Sequence, residues 1–254
     1  METAGSGLTR TGGCLLQTLN FRRLLPERTY IMDRITIDLV SDVVCPWCFL
    51  GKARLELAIA EVQDVVSIDI NWRPYQLNPD YPPEGVDHQV ELAKKLGGKA
   101  RMDAAHAELK ALGAEVGIAF NFDAIKVGPN TLDAHRLIHW ASQESREVQG
   151  RIVDGLFRAN FEQGRNVGDA KVLADIAEEA GMLRSVVETL LSGDADVQHV
   201  LSEVEAAKQM GVNGVPFFIF DQQYAVSGAQ PAAELANAMR EIAKAKAEAL
   251  RNLN

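Results

Sequence analysis

Cysteine is scarce in this chain: Cys14, Cys45 and Cys48 are the three in 254 residues. Three cysteines cannot build a disulfide framework. This usage suits a reducing, cytoplasmic setting with one catalytic pair. Basic residues are also in short supply. Lys and Arg number 26 against 35 Asp and Glu, a net charge of −9. That argues against general nucleic-acid binding, which needs a basic face. The acidic excess reads as solvated helical faces rather than a partner surface. No apolar run approaches the roughly 18 residues of a membrane span. A second cysteine pair is lacking, which leaves a tetrahedral zinc site short of its about four ligands. His135 and His139 share a helical face but have no HExxH glutamate beside them. No metal is expected.

Residues 1–31 differ from the rest. Arg10, Arg22, Arg23 and Arg28 oppose Glu2 and Glu27, a net of +2, which leaves −11 for the remainder. Four glycines at positions 5, 7, 12 and 13 loosen this start. The stretch reads as a disordered extension, or as the product of an upstream start codon with Met32 as the functional one. A mitochondrial presequence is the weaker alternative, since Glu2 and the glycines oppose it.

What is present is a pattern of strands at the two ends and helices between. Residues 34–40 alternate and predict a first strand. A helix is expected from Pro46 to about Gln63, with proline well placed in its first turn. Val66–Trp72 predicts a second strand, and the prolines of 73–83 a loop. From about Asp87 to Met210 the pattern reads as helical, with no strand signal. The expected helices are Ala100–Val116, Thr131 to about Glu147, Val148–Glu162, 170–180 behind an Asp169 cap, Met182–Leu191 and Asp194–Met210. A hairpin of Pro216–Phe220 and Tyr224–Ser227 follows, then a helix from Ala232 to about Leu250. The two ends must share one sheet, because neither has enough strands alone. This predicts an α/β fold in which 32–84 and 211–254 form one domain and 85–210 a helical insertion.

Cys45-Pro46-Trp47-Cys48 lies where the first strand gives way to the first helix. CxxC at such a junction reads as a thiol–disulfide redox site. The helix N-terminus supplies unpaired N–H groups and the positive end of the dipole, both favourable to a thiolate. Val215-Pro216 opens the late hairpin. Proline there is tolerated as an ordinary trans strand start. Alternatively it is a cis-proline loop facing the cysteines, with the Val215 N–H and C=O free to pair with an extended substrate. Trp47 offers an apolar face to substrate or packs on the helical block.

Five stretches in order carry a more specific resemblance. They are Ser41–Cys48, Trp72-Arg73-Pro74-Tyr75-Gln76-Leu77-Asn78-Pro79, Asn130–Arg136, Gly211–Pro216 and Val226–Pro231. With them the chain resembles the DsbA-like branch of the thioredoxin superfamily, close to the FrnE-type oxidoreductases. These are related to 2-hydroxychromene-2-carboxylate isomerases and kappa-class glutathione transferases. The resemblance spans roughly residues 33–245. It implies a thioredoxin fold with a large helical insertion, and Pro216 as the cis-proline. It implies Cys45 as accessible nucleophile and Cys48 as the more buried resolving cysteine. Pro46, Trp47, Val215 and Pro216 are then expected at the substrate, with Asn78, Asn130 and His135 as cleft residues. Gln230 is read as a cap of the last helix.

The expected activity is dithiol–disulfide exchange on protein or small thiols. No tightly bound cofactor is implied; glutathione is a candidate co-substrate, and a homodimer is left open. Two other readings stand beside it. One is a glutathione-dependent isomerase, transferase or small-molecule tailoring enzyme; those relatives carry serine where this chain has Cys45. The other is a chaperone-like binding module.

Overall fold

The computed structural model describes residues 33–252. Cys14, Met32 and the 1–31 stretch lie outside the described residues. Strand β1 (Asp33–Ser41) leads into helix α1 (Pro46–Val62) and back through β2 (Val66–Pro74), which pairs parallel with β1. Late in the chain β5 (Phe217–Phe220) pairs antiparallel with β1, and β6 (Tyr224–Ser227) with β5. Helix α9 (Ala232–Asn252) closes the described chain. The sheet order is β2-β1-β5-β6, so the two ends do share one sheet.

Alternation along β1 decides which face each layer covers. Ile35, Ile37 and Leu39 join Phe218 and Phe220 against Leu55, Ala58 and Val62 of α1 and Leu235, Met239 and Ile242 of α9. On the opposite face Val40 packs with Ala207 of helix α8 (Val197–Gln209) and with Val212. Asp38 on that face is buried but satisfied. It accepts from Asn71 at 3.1 Å and from Arg73 at 3.0 Å, and Arg73 also bonds Glu203 of α8 at 2.9 Å.

The segment between β2 and β5 holds α2 (His88–Leu96), α3 (Lys99–Glu115), α4 (Leu132–Glu144), α5 (Arg146–Phe161), α6 (Ala170–Glu179), α7 (Arg184–Leu191) and α8. The Asp169 cap forms: its carboxylate accepts from Lys171 and Val172 N–H. Three expectations need correction. β2 runs on through Arg73 and Pro74, because parallel pairing continues to Ser41 opposite Pro74, and a strand's last residue tolerates proline. The middle segment is interrupted by two two-residue strands, β3 (Val86–Asp87) and β4 (Val127–Gly128), and by a 3-10 turn at Phe122–Ala124. Helix α4 stops at Glu144, since Ser145 turns extended and caps α5 through its hydroxyl on Val148 N–H. Among the described residues no helix is long and apolar enough to cross a membrane.

Candidate active site

The site begins with Cys45, the residue just before α1. Its backbone is extended (φ −93°, ψ 112°), and its N–H donates to the Asp42 carbonyl at 3.0 Å. Pro46 at the first helical position gives up no bond, because first-turn N–H groups have no partner inside the helix. Cys48 N–H and Phe49 N–H both reach back to the Cys45 carbonyl, at 3.0 and 3.3 Å. The motif is thus a strand end, a tight turn and a helix start, and both cysteines are free thiols.

Val215-Pro216 meets this turn from the other end of the chain. The peptide bond is cis, and the Cys45 thiol donates to the Val215 carbonyl at 3.5 Å. The expectation that Val215 C=O stays free is therefore corrected: the thiol takes it. Among the described residues nothing accepts from Val215 N–H. Gly51, on the turn after Cys48, lets α1 approach Pro216. A Cβ built there would lie 2.9 Å from Pro216 Cγ.

Cys48 is the deeper cysteine, 1% exposed against 5% for Cys45. The more open position expected for Cys45 is thus a matter of degree. Trp47 between them is 37% exposed and Pro46 half-buried, so the motif's outer wall is apolar. Burial pushes the Cys48 thiol well above the usual thiol range. A hydrogen bond to Cys45 and that sulfur's charge add to the rise, while contacts with Ser41 and the Asp42 backbone oppose it. The residue after Cys48 anchors the motif to the helical segment. Phe49 stacks on Phe157 at 5.1 Å and meets Phe120 edge-on at 5.9 Å.

The remaining predicted residues separate into two groups. His135 and Asn130 act inward. His135 is buried, with Nε2 2.9 Å from the Tyr75 carbonyl and 3.4 Å from Asp42 Oδ1. Asn130 donates to the Pro79 and Tyr81 carbonyls and accepts from Gln76 Nε2 and Leu132 N–H, so its amide fastens the loop after β2. Asn78 sits elsewhere. It accepts from Lys95, and both line a cavity of about 300 Å³ whose wall includes Pro46. Gln230 donates to the Ser227 carbonyl.

Sequence reasoning missed Asp42. It is fully buried; its Oδ2 accepts from Leu77 N–H at 2.8 Å, so it ties the motif turn to the loop after β2. Its place three residues before Cys45 was the available signal. Among the described residues no group of three or more His, Cys, Asp or Glu is placed to hold a metal.

Known proteins are similar to this chain in sequence and fold. Residues 36–240 match the DSBA-like thioredoxin domain family. The crystal structure of the probable DsbA oxidoreductase SCO1869 from Streptomyces coelicolor is 32% identical with a TM-score of 0.73, the match covering 82% of this chain and 89% of that one. The uncharacterized protein YwbO of Bacillus subtilis is 29% identical over 191 residues, 73% of this chain and 86% of its own. A 2-hydroxychromene-2-carboxylate isomerase structure shares the fold at 18% identity and a TM-score of 0.64, covering 84% of this chain and 98% of that chain. The match over residues 36–240, together with this sheet order, places the chain in the DSBA-like thioredoxin domain family.

Proposed function

We propose that the protein is a thiol–disulfide oxidoreductase acting through Cys45 and Cys48. The observation that carries this reading is the Cys45 thiol at the N-terminus of α1, 3.5 Å from the Val215 carbonyl, with Cys48 one turn inside.

The Cys45 thiolate attacks one sulfur of a substrate disulfide. The substrate S–S bond breaks, its second sulfur leaves as a thiolate, and a mixed disulfide forms on Cys45. Cys48 then loses its proton and attacks Cys45 Sγ. The first substrate sulfur leaves, the Cys45–Cys48 disulfide forms, and two electrons have passed to the substrate. Run backwards, the same steps oxidise a dithiol. Leaving the Val215 carbonyl frees the Cys45 sulfur for attack and opens Val215 N–H and C=O to an extended substrate backbone.

The test is the Cys48→Ala variant mixed with a peptide disulfide or with glutathione disulfide. Intact mass should show one substrate moiety on Cys45, stable because no resolving thiol remains. Absence of any adduct with either disulfide sinks the reading. Glutathione as co-substrate stands or falls on the second arm alone.

A further inference from the structure

Cys48 has to give up its proton at the moment when substrate stands between it and the cleft. In the mixed disulfide the substrate sits on Cys45, and Cys48 is almost fully buried. Among the described residues three polar groups touch its thiol: the Cys45 sulfur, the Ser41 side chain and the Asp42 backbone. The Asp42 backbone favours the charged sulfur, as a donating N–H does, and an N–H takes no proton. The Cys45 sulfur is by then tied up in the mixed disulfide. A hydroxyl both donates and accepts, so Ser41 is the contact able to receive the proton and pass on its own.

Ser41 also has somewhere to pass it. It is the last residue of β1, held by Tyr75 N–H on its carbonyl at 3.0 Å. It lines a cavity of about 380 Å³ bordered by β2, α4, α5 and α8, many times the room that one water needs. Cys45, Asp42, Pro46, Trp47 and Val215 do not line this cavity. Of the three groups on the Cys48 thiol, Ser41 is therefore the one that reaches it, on a side separate from the substrate. Its titratable and charged walls are Arg73, His135, His139, His199 and Glu203. Arg73 and Glu203 pair at 2.9 Å, and the rings of His139 and His199 lie 4.2 Å apart. Walls this polar suit water.

We propose that Ser41 is a catalytic residue of the resolving step: its hydroxyl takes the proton of Cys48 while passing its own to solvent in this cavity, and then donates to the thiolate. This rests on the redox reading of Cys45 and Cys48. The Cys48 S–H bond breaks, and the thiolate attacks Cys45 Sγ. The Cys45–Cys48 bond forms as the bond from Cys45 to the substrate sulfur breaks. The departing thiolate takes a proton from solvent on the cleft side, so one proton leaves at the back and one enters at the front.

The experiment uses the full chain, reduced, in single turnover with a peptide whose cysteine is a mixed disulfide with thionitrobenzoate. Attack by Cys45 on the peptide sulfur releases coloured thionitrobenzoate, the lower-pKa leaving group, and times the first step. Acid quenching and intact mass follow the decay of the peptide adduct, which times the second. Ser41→Ala should leave the first step unchanged and slow the second about tenfold or more near neutral pH. The gap should narrow as pH rises, where hydroxide takes the proton without a relay. Ser41→Thr, which keeps a hydroxyl, should recover most of the rate. Ser142→Trp, at an exposed position of α4 on the cavity wall, should slow the second step alone by closing the route, and stands in if Ser41→Ala does not fold. Adduct decay equal to the parent's in the variant that folds overturns the inference. So does the same slowing at every pH, or a folded Ser41→Thr as slow as Ser41→Ala, since packing would then be the cause. If no thionitrobenzoate is released by the parent, the redox reading falls instead.

Discussion

Cys45 and Val215 lie 170 residues apart in sequence, yet the thiol of one is hydrogen-bonded to the carbonyl of the other at 3.5 Å. The contact joins the helix start to the hairpin start, and Cys45 is the less buried of the two thiols. Alkylation with limiting iodoacetamide should therefore modify Cys45 first, at roughly ten times the rate of Cys48 or more, because the thiolate is the reactive form and Cys48 is buried with a raised pKa. Peptide mapping by mass spectrometry decides it; preferential labelling of Cys48 would reverse the assigned roles.

The raised Cys48 pKa has two pH consequences. Its proton must leave before it can attack, so resolution of a mixed disulfide should accelerate with pH and keep accelerating past about 8.5, where ordinary thiols level off. Stopped-flow release of the second thiol measures this, and a plateau near pH 7 would contradict it. Because the folded pKa lies above the unfolded one, this group's stabilisation of the dithiol form is fully present below about pH 8.5. It is lost as pH rises toward the folded value.

Gly51→Ala should damage both stability and turnover. The added methyl meets Pro216 Cγ at 2.9 Å and Phe218 Cζ at 3.4 Å, both on buried residues. Overpacking of this kind costs about 1–3 kcal/mol. Here it pushes α1 away from the loop that positions Val215. A denaturation midpoint equal to that of the parent, with full turnover, would show that the two elements part freely.

Phe49→Ala removes the ring that stacks on Phe157 and lies 6.1 Å from Phe161. A loss of about 3–5 kcal/mol is expected from urea unfolding, as for other buried Phe truncations. The same variant should raise the alkylation rate of Cys48, its immediate neighbour.

Acid should weaken the fold before the carboxylates titrate. His88, His106 and His139 are all shifted down, burial being the first cause in each. A folded pKa below the unfolded value of about 6.5 means that the unfolded chain binds more protons. Stability should fall as pH drops through about 6.5 and level off once the depressed values are passed. Urea midpoints at intervals between pH 7.5 and 5 test this; a midpoint that rises on acidification would contradict it.

The parts of this molecule that could be read from sequence are those set by neighbours along the chain. Alternation at 34–40, proline at position 46 and the Phe-rich run at 217–220 are local signals, and each produced its element. The DSBA-like pattern carried the pairing of CPWC with Val215-Pro216 across the intervening helices. The two-residue pair Val86–Asp87 with Val127–Gly128 is too short to show any period. Pro74 hid the last step of β2, because whether a proline ends a strand depends on its partner, here Ser41. The side chains that shape the site were also hidden. Gly51 meets Pro216 only because the fold brings together positions far apart in sequence. His135 and Asn130 were legible as polar residues, but not as ones whose hydrogen bonds turn inward.

Helix α1 belongs to two apolar clusters. Cys45, Cys48 and Phe49 lie in the one built from the helical segment, and Leu55, Ala58 and Val62 in the one built on the sheet. The two thiols are therefore covered by residues that arrive from elsewhere in the chain. Breathing of α3 or α5 away from α1 is expected to uncover Cys48, which lies in their apolar cluster and not in that of the sheet. The buried thiol is thus a built-in clock: the rate at which a reagent reaches it under native conditions counts the openings of the helical layer.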